Sequence, residues 1–93
     1  MIKVQFYGML RLLLRREALE VTARAGDTIA SLLPRVQQQL QVPMLHKLIN
    51  ERGEPHAGTI IMVNRRNVHH LQKLETPVQA GDTVALFPPG AGG

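Results

Sequence analysis

The residues with the clearest capacity for chemistry form the run Gly81-Asp82-Thr83-Val84-Ala85-Leu86-Phe87-Pro88-Pro89-Gly90-Ala91-Gly92-Gly93. A strand-like segment, 84–87, passes into two prolines, each of which fixes φ near about −65° and favours extended polyproline geometry. Beyond them, Gly90, Ala91, Gly92 and Gly93 carry at most one methyl group between them. Glycine is costly to order and buries no apolar surface, so a packed domain gains little from such a stretch. A thin ribbon ending in an α-carboxylate suits a narrow channel that leads to another protein's active site. The reactive group would then be the carboxylate of Gly93, with no side chain involved.

Other chemistry finds little support. Without cysteine the chain has no disulfide, thiol nucleophile or thiolate metal ligand, so any sulfur chemistry must use another group. Ser31 is the sole serine and fits a helix cap better than a nucleophile. His69 and His70 fall on an expected strand, where adjacent side chains point to opposite faces and cannot converge on one ion. His46 and His56 lie in an expected loop, and with no spaced His/acid cluster no metal is anticipated. The formal charge is +4, from eleven Lys and Arg against seven Asp and Glu. Three aromatics and no recognition motif argue against nucleic acid, so the charge reads as a solvated surface or a patch for an acidic partner protein. No apolar run is long enough to span a bilayer and the N-terminus lacks a leader pattern, so a cytoplasmic protein is expected.

The elements that would present the ribbon can be read in order. With 93 residues, 44% of them hydrophobic, the chain has the size and composition of one small domain. Ile2, Val4 and Phe6 alternate with Lys3, Gln5 and Tyr7, which predicts a half-buried strand ended by Gly8. Residues 9–16 are open between a short helical turn and a loop whose leucines plug the core. Leu19, Val21 and Ala23 alternate with polar residues and predict a second strand. Ile29, Leu32, Leu33, Val36 and Leu40 form one helical stripe, with glutamines 37, 38, 39 and 41 outward. Pro34 conflicts with a cap at Thr28, because it would stand in the second turn at a cost of about 3 kcal/mol; a helix starting near Ser31 is preferred.

Residues 42–58 are poorly legible, with Leu45, Leu48 and Ile49 able to form a short docking turn and a polar loop after them. Residues 59–63 are apolar on both faces, as a central strand would be. Asn64-Arg65-Arg66-Asn67 reverses the chain, 68–71 returns as a strand, and 83–87 is the last strand, central and beside the first. The expected order is β-β-α-β-β-β, with a domain over 1–87 and a flexible extended tail over 88–93.

The run from Gly81 to the end resembles the ubiquitin-like sulfur carriers of the MoaD/ThiS type, above all the small subunit of molybdopterin synthase. Their tails read Gly-Asp-x-Val-Ala-Phe-Phe-Pro-Pro-Val-Ala-Gly-Gly. The opening Met1-Ile2-Lys3-Val4-Gln5-Phe6-Tyr7 with Arg11, and the segment from Val63-Asn64 through Asn67-Val68-His69-His70-Leu71 with Thr76-Pro77, are similar too. The resemblance implies an α+β fold of β-grasp type, a mixed four- to five-stranded sheet packed on one main helix. It also implies a non-catalytic carrier whose Gly93 is adenylated by an E1-like, ATP-using enzyme and converted to a thiocarboxylate. ATP would be used by that partner and no cofactor bound by the carrier itself. Sulfur would pass to a pterin precursor in the large catalytic subunit of molybdopterin synthase, or in an equivalent acceptor enzyme. Gly92, Ala91, Gly90, Pro89 and Pro88 would thread the channel, while Tyr7, Phe87 and Arg11 match the family's partner-docking positions. Carriage of sulfur for thiamine or cysteine synthesis, and conjugation to proteins through Gly93, are the alternatives. Two departures stand out: Gly90 replaces the common valine, and Arg65 occupies a turn position where glycine is usual.

Overall fold

The computed structural model describes residues 1–90. Its strands and helices follow in the order β1 (Ile2–Phe6), α1 (Met9–Leu14), β2 (Ala18–Val21), α2 (Ile29–Gln38), β3 (Ile60–Val63), β4 (Arg66–Asn67) and β5 (Thr83–Phe87). Short 3-10 turns occupy Leu45–Lys47, Val68–His70 and Lys73–Glu75. All strands join one sheet in the order β2-β1-β5-β3-β4. The β5 strand runs parallel to β1, with Val84 opposite Val4, and antiparallel to β3, with Leu86 opposite Ile61. The strand that leads into the tail is therefore central, as its sequence predicts.

One face of the sheet is covered by α2. Ile2, Val4, Phe6, Ile61, Val63, Val84 and Leu86 from the strands meet Ile29, Leu32, Leu33 and Val36 from the helix in a single core. This mixed sheet gripping one main helix is the β-grasp arrangement. The opposite face, carrying Lys3, Gln5, Tyr7, Met62, Ala85 and Phe87, has no covering layer and is exposed to half-buried.

Several sequence expectations are corrected. The helix starts at Ile29, not near Ser31. Thr28 Oγ1 accepts the Ser31 N–H at 3.2 Å while Ser31 Oγ accepts the Thr28 N–H at 2.9 Å, a reciprocal capping box that fixes the first turn. Pro34 stands inside α2. The carbonyl deprived of its helical N–H is that of Ala30, and both residues lie on the exposed side, where water can serve it. The second strand ends at Val21, short of Ala23, which packs against the core from outside it. The returning strand is only Arg66–Asn67, because Asn67 Oδ1 accepts the His69 N–H at 2.9 Å and turns the chain into a 3-10 helix. His69 and His70 therefore do not alternate across a strand; their rings pack edge to face at 5.4 Å. The apolar character of both β3 faces does not reflect burial on both, since Ile61 and Val63 are buried while Ile60 is exposed.

The residues between α2 and β3 are anchored by groups that the helical stripe leaves unassigned. Gln37 is turned toward the loop, and its Oε1 accepts the N–H groups of Met44 and Leu45 at 2.7 and 3.0 Å. That contact sets Met44 and Leu48 fully into the core. Asn50 Oδ1 accepts from the N–H groups of Arg52 and Glu54, closing the polar loop on itself.

Asp27, just before α2, is a buried carboxylate. Burial pushes its pKa up, but the Arg24 N–H, the Arg35 and Ser31 side chains and the Arg35 charge outweigh this and hold it below the ordinary 3.8. Arg35 approaches Asp27 Oδ1 at 2.5 Å and also donates to the Thr22 carbonyl, so the network fastens α2 to the end of β2.

Candidate functional site: the tail root and the open sheet face

The β1 and β5 strands are hydrogen-bonded neighbours; Tyr7, directly after β1, and Phe87, the last residue of β5, both lie on the open face. The Tyr7 N–H donates to the Leu86 carbonyl at 3.1 Å, which brings the Tyr7 ring over that of Phe87. The rings stack with centroids 4.5 Å apart and planes inclined by 9°. The Tyr7 hydroxyl donates to Gln5 Oε1 at 3.1 Å, fixing the ring at its outer end. Both rings are half-buried, and Phe87 belongs to the open face. Gln5, Met62, Arg65, Thr83 and Ala85 join the two rings around a shallow depression of about 500 Å³. Half-buried aromatic and methionine side chains on a face without a covering layer are what a protein-docking surface requires.

One edge of this surface is shaped by the β3–β4 turn. Asn64 and Arg65 both adopt left-handed backbone, at φ 50° and 70°. Asn64 Nδ2 donates to Asp82 Oδ1 and its Oδ1 accepts the Thr83 N–H, both at 2.9 Å. The turn is thereby tied to the start of β5.

The tail leaves from the opposite end of β5. Pro88 and Pro89 are half-buried and Gly90 is exposed. Pro88 lies beside Gly8 and Pro89 beside Gly58, two glycines whose φ of 58° and 89° lies in the region that side-chain-bearing residues rarely adopt. Proline's own restraint and this seat together fix where the chain departs. Ala91, Gly92 and Gly93, which sequence reading names as threading and reacting residues, lie outside the described residues.

Arg11 is not gathered into the aromatic site. It lies on α1, its guanidinium pairs with Glu17, and it lines neither the aromatic depression nor the tail root. Sequence reading also leaves Ile60, Met62, Gly8 and Gly58 out of the site. The available signal was in 59–63, where the face opposite Ile61 and Val63 is apolar although it is uncovered. Among the described residues no group of three or more His, Cys, Asp or Glu is placed to hold a metal ion, and no helix is long and apolar enough to cross a membrane.

A central β5, an open aromatic face and a seated proline exit define the ubiquitin-like β-grasp class. The profile of the ThiS family matches residues 4–93, and the chain belongs to that family. Over 49 residues it is 43% identical to a protein of Archaeoglobus fulgidus described as a presumed sulfur carrier, covering 53% of this chain and 56% of that relative. SAMP1 of Haloferax volcanii superposes with a TM-score of 0.83 at 20% identity, covering 99% of this chain and 98% of that one. In a BexX/CysO complex of Amycolatopsis orientalis, a chain superposes at 0.81 and 24% identity with full coverage of both. A presumed molybdopterin converting factor subunit 1 of Pyrococcus furiosus gives 0.65 at 22% identity, with 95% of each chain covered. At these identities the structural likenesses establish the fold.

Proposed function

We propose that this chain is a sulfur carrier that delivers sulfur for molybdopterin synthesis, acting as co-substrate of partner enzymes and performing no catalysis itself. The observation that carries the reading is the seated Pro88-Pro89 exit from a central strand, beside an uncovered aromatic face, in a ThiS-family chain. The choice of molybdopterin rests on the tail and on the segments around Tyr7 and His69 that resemble the small synthase subunit. In the cytoplasm, an E1-like enzyme docks on the Tyr7/Phe87 face and draws in the tail. An oxygen of the Gly93 carboxylate attacks the α-phosphorus of ATP; pyrophosphate leaves and an acyl adenylate remains. A carboxylate is a poor acyl donor, and AMP supplies the missing leaving group. Sulfur at the oxidation level of sulfide then attacks the carbonyl carbon, AMP departs with the bonding pair, and loss of a proton leaves a thiocarboxylate. The carrier's own residues hold no proton in these steps: they position, extend and fit. Gly92 and Gly93 keep the channel free of β-carbons, and Pro88 and Pro89 keep the ribbon extended.

The test is the intact mass of the chain after incubation with ATP, an E1-like adenylating enzyme from the same organism and a sulfide donor. Exchange of one oxygen for sulfur at Gly93 is expected, together with its loss when purified large synthase subunit and pterin precursor are added. A chain lacking Gly93, or extended by one residue, stays unchanged while its thermal melt is preserved. High-mass conjugates on lysines would replace this reading with protein modification, and an unaltered mass would overturn it.

A further inference from the structure

The outer side of α1 is an unusual surface for so small a domain. Leu10 and Leu14 enter the core, yet Met9 and Leu12 point outward at 56% and 72% exposure, with Leu13 beside them at 40%. These side chains surround the base of the tail. Met9 and Leu12 line a depression of about 470 Å³ with Ile60, Phe87, Pro88 and Pro89. Met9 and Leu13 line a second hollow of about 440 Å³ with Pro88, Pro89, His46 and Lys47. Pro88 and Pro89 are common to both, so the tail emerges between two apolar hollows flanked by one short helix. Phe87 joins the first hollow to the aromatic depression, making the apolar surface continuous with the docking face proposed above.

The charge left free beside this ridge is basic, since Glu17, the carboxylate that follows Arg16, is taken up by Arg11. Arg15 and Arg16 follow α1 directly, and Lys47 lines the second hollow. Among the described residues Arg11 and Arg35 are the basic side chains paired with carboxylates, and Arg15, Arg16 and Lys47 have no such partner. A solvated helix places leucine inward and charge outward. Here three large apolar groups face outward with unpaired cations next to them, which suits an apolar rim bordered by carboxylates.

We propose that Met9, Leu12 and Leu13, with Ile60 and the cations Arg15, Arg16 and Lys47, form a collar around the tail that seats on an acidic, apolar-rimmed channel mouth of the adenylating enzyme. This rests on the carrier reading above and adds a specificity element: the collar selects, by charge, the enzyme into which the tail is inserted. The Tyr7/Phe87 face contributes affinity at the sheet, and the collar sets alignment at the mouth.

The probe is the purified E1-like adenylating enzyme of the same organism, titrated calorimetrically with full-length carrier between low and moderate salt and assayed by ATP–pyrophosphate exchange. Leu12→Ser is expected to weaken binding about tenfold, as an exposed residue that becomes buried at an interface centre does, with an unshifted melting temperature. The double variant Arg15→Glu, Arg16→Glu is expected to weaken binding at low salt and to flatten its salt dependence, as loss of rim charges does. Wild-type binding and salt slope in both variants, alongside weakened binding by Tyr7→Ala, would overturn the collar and leave the carrier reading standing. Absence of exchange activity with the wild-type carrier would overturn the carrier reading and the collar with it.

Discussion

The ring of Tyr7 lies flat on the ring of Phe87, 4.5 Å between centroids; Tyr7 directly follows β1 and Phe87 ends its parallel neighbour β5. Each ring holds the other upright on an uncovered face, so the pair is a preformed patch. Truncating either ring is expected to weaken partner binding about tenfold while costing only about 1 kcal/mol of stability, since both are half-buried. A double-mutant cycle over Tyr7→Ala and Phe87→Ala should return a coupling of about 1 kcal/mol in urea unfolding. Additive losses would mean that the rings do not support one another.

Asp27 makes stability depend on acid. Its folded pKa is lower than the ordinary 3.8, so the ionised form favours the folded state. That contribution is complete above pH 3.8 and is lost as the pH falls through the lower folded value. Asp27→Asn, which breaks a buried pair with Arg35, is expected to cost about 3 kcal/mol at pH 7. Thermal melts of both proteins should converge as the pH is lowered through 3.8 and below. A gap that persists unchanged in acid would show that the charge is not the stabilising feature.

Arg65 holds a left-handed backbone at φ 70° beside Asn64 at φ 50°. Two consecutive residues of this kind between paired strands form the hairpin turn that favours Asn-Gly. Arg65→Gly relieves strain of about 1–2 kcal/mol and gives part of it back in unfolded-chain entropy. A net gain of about 0.5 kcal/mol is expected, raising the melting temperature by about 3 °C. A fall in melting temperature would contradict this.

Pro34 interrupts the ladder of α2 on its exposed side. Pro34→Ala restores an N–H to the Ala30 carbonyl and should stabilise the domain by about 1–3 kcal/mol in chemical unfolding. No gain would indicate that the surrounding turn has already adapted to the ring.

The parts of the fold governed by simple periodicity were readable from residues. Ile2, Val4 and Phe6 announced β1, the Ile29-to-Val36 stripe announced α2, and the proline–glycine ending located the tail root. Sequence reading erred where one side chain decided between two local structures. Thr28 and Ser31 together form a cap strong enough to place Pro34 inside the helix. A single Asn67 contact converts an expected strand into a 3-10 turn. The Gln37 contacts that bury Met44 run from a helix side chain to backbone of the following loop, seven and eight residues on, and leave no periodic trace. On β3, Ile60 and Met62 carried the apolar signal of burial, but their face has no covering layer, and composition cannot distinguish a core from a surface built for docking.

The position of β5 has a mechanical consequence. Any enzyme that pulls the chain by its C-terminal end applies force along a strand bonded on both sides, to β1 in parallel and to β3 in antiparallel fashion. Those bonds lie across the direction of pull and would have to fail together, in shear, before the sheet parted. The domain therefore works as a grip behind a thread: traction on the end is shared across both seams of the central strand before any single strand can peel away.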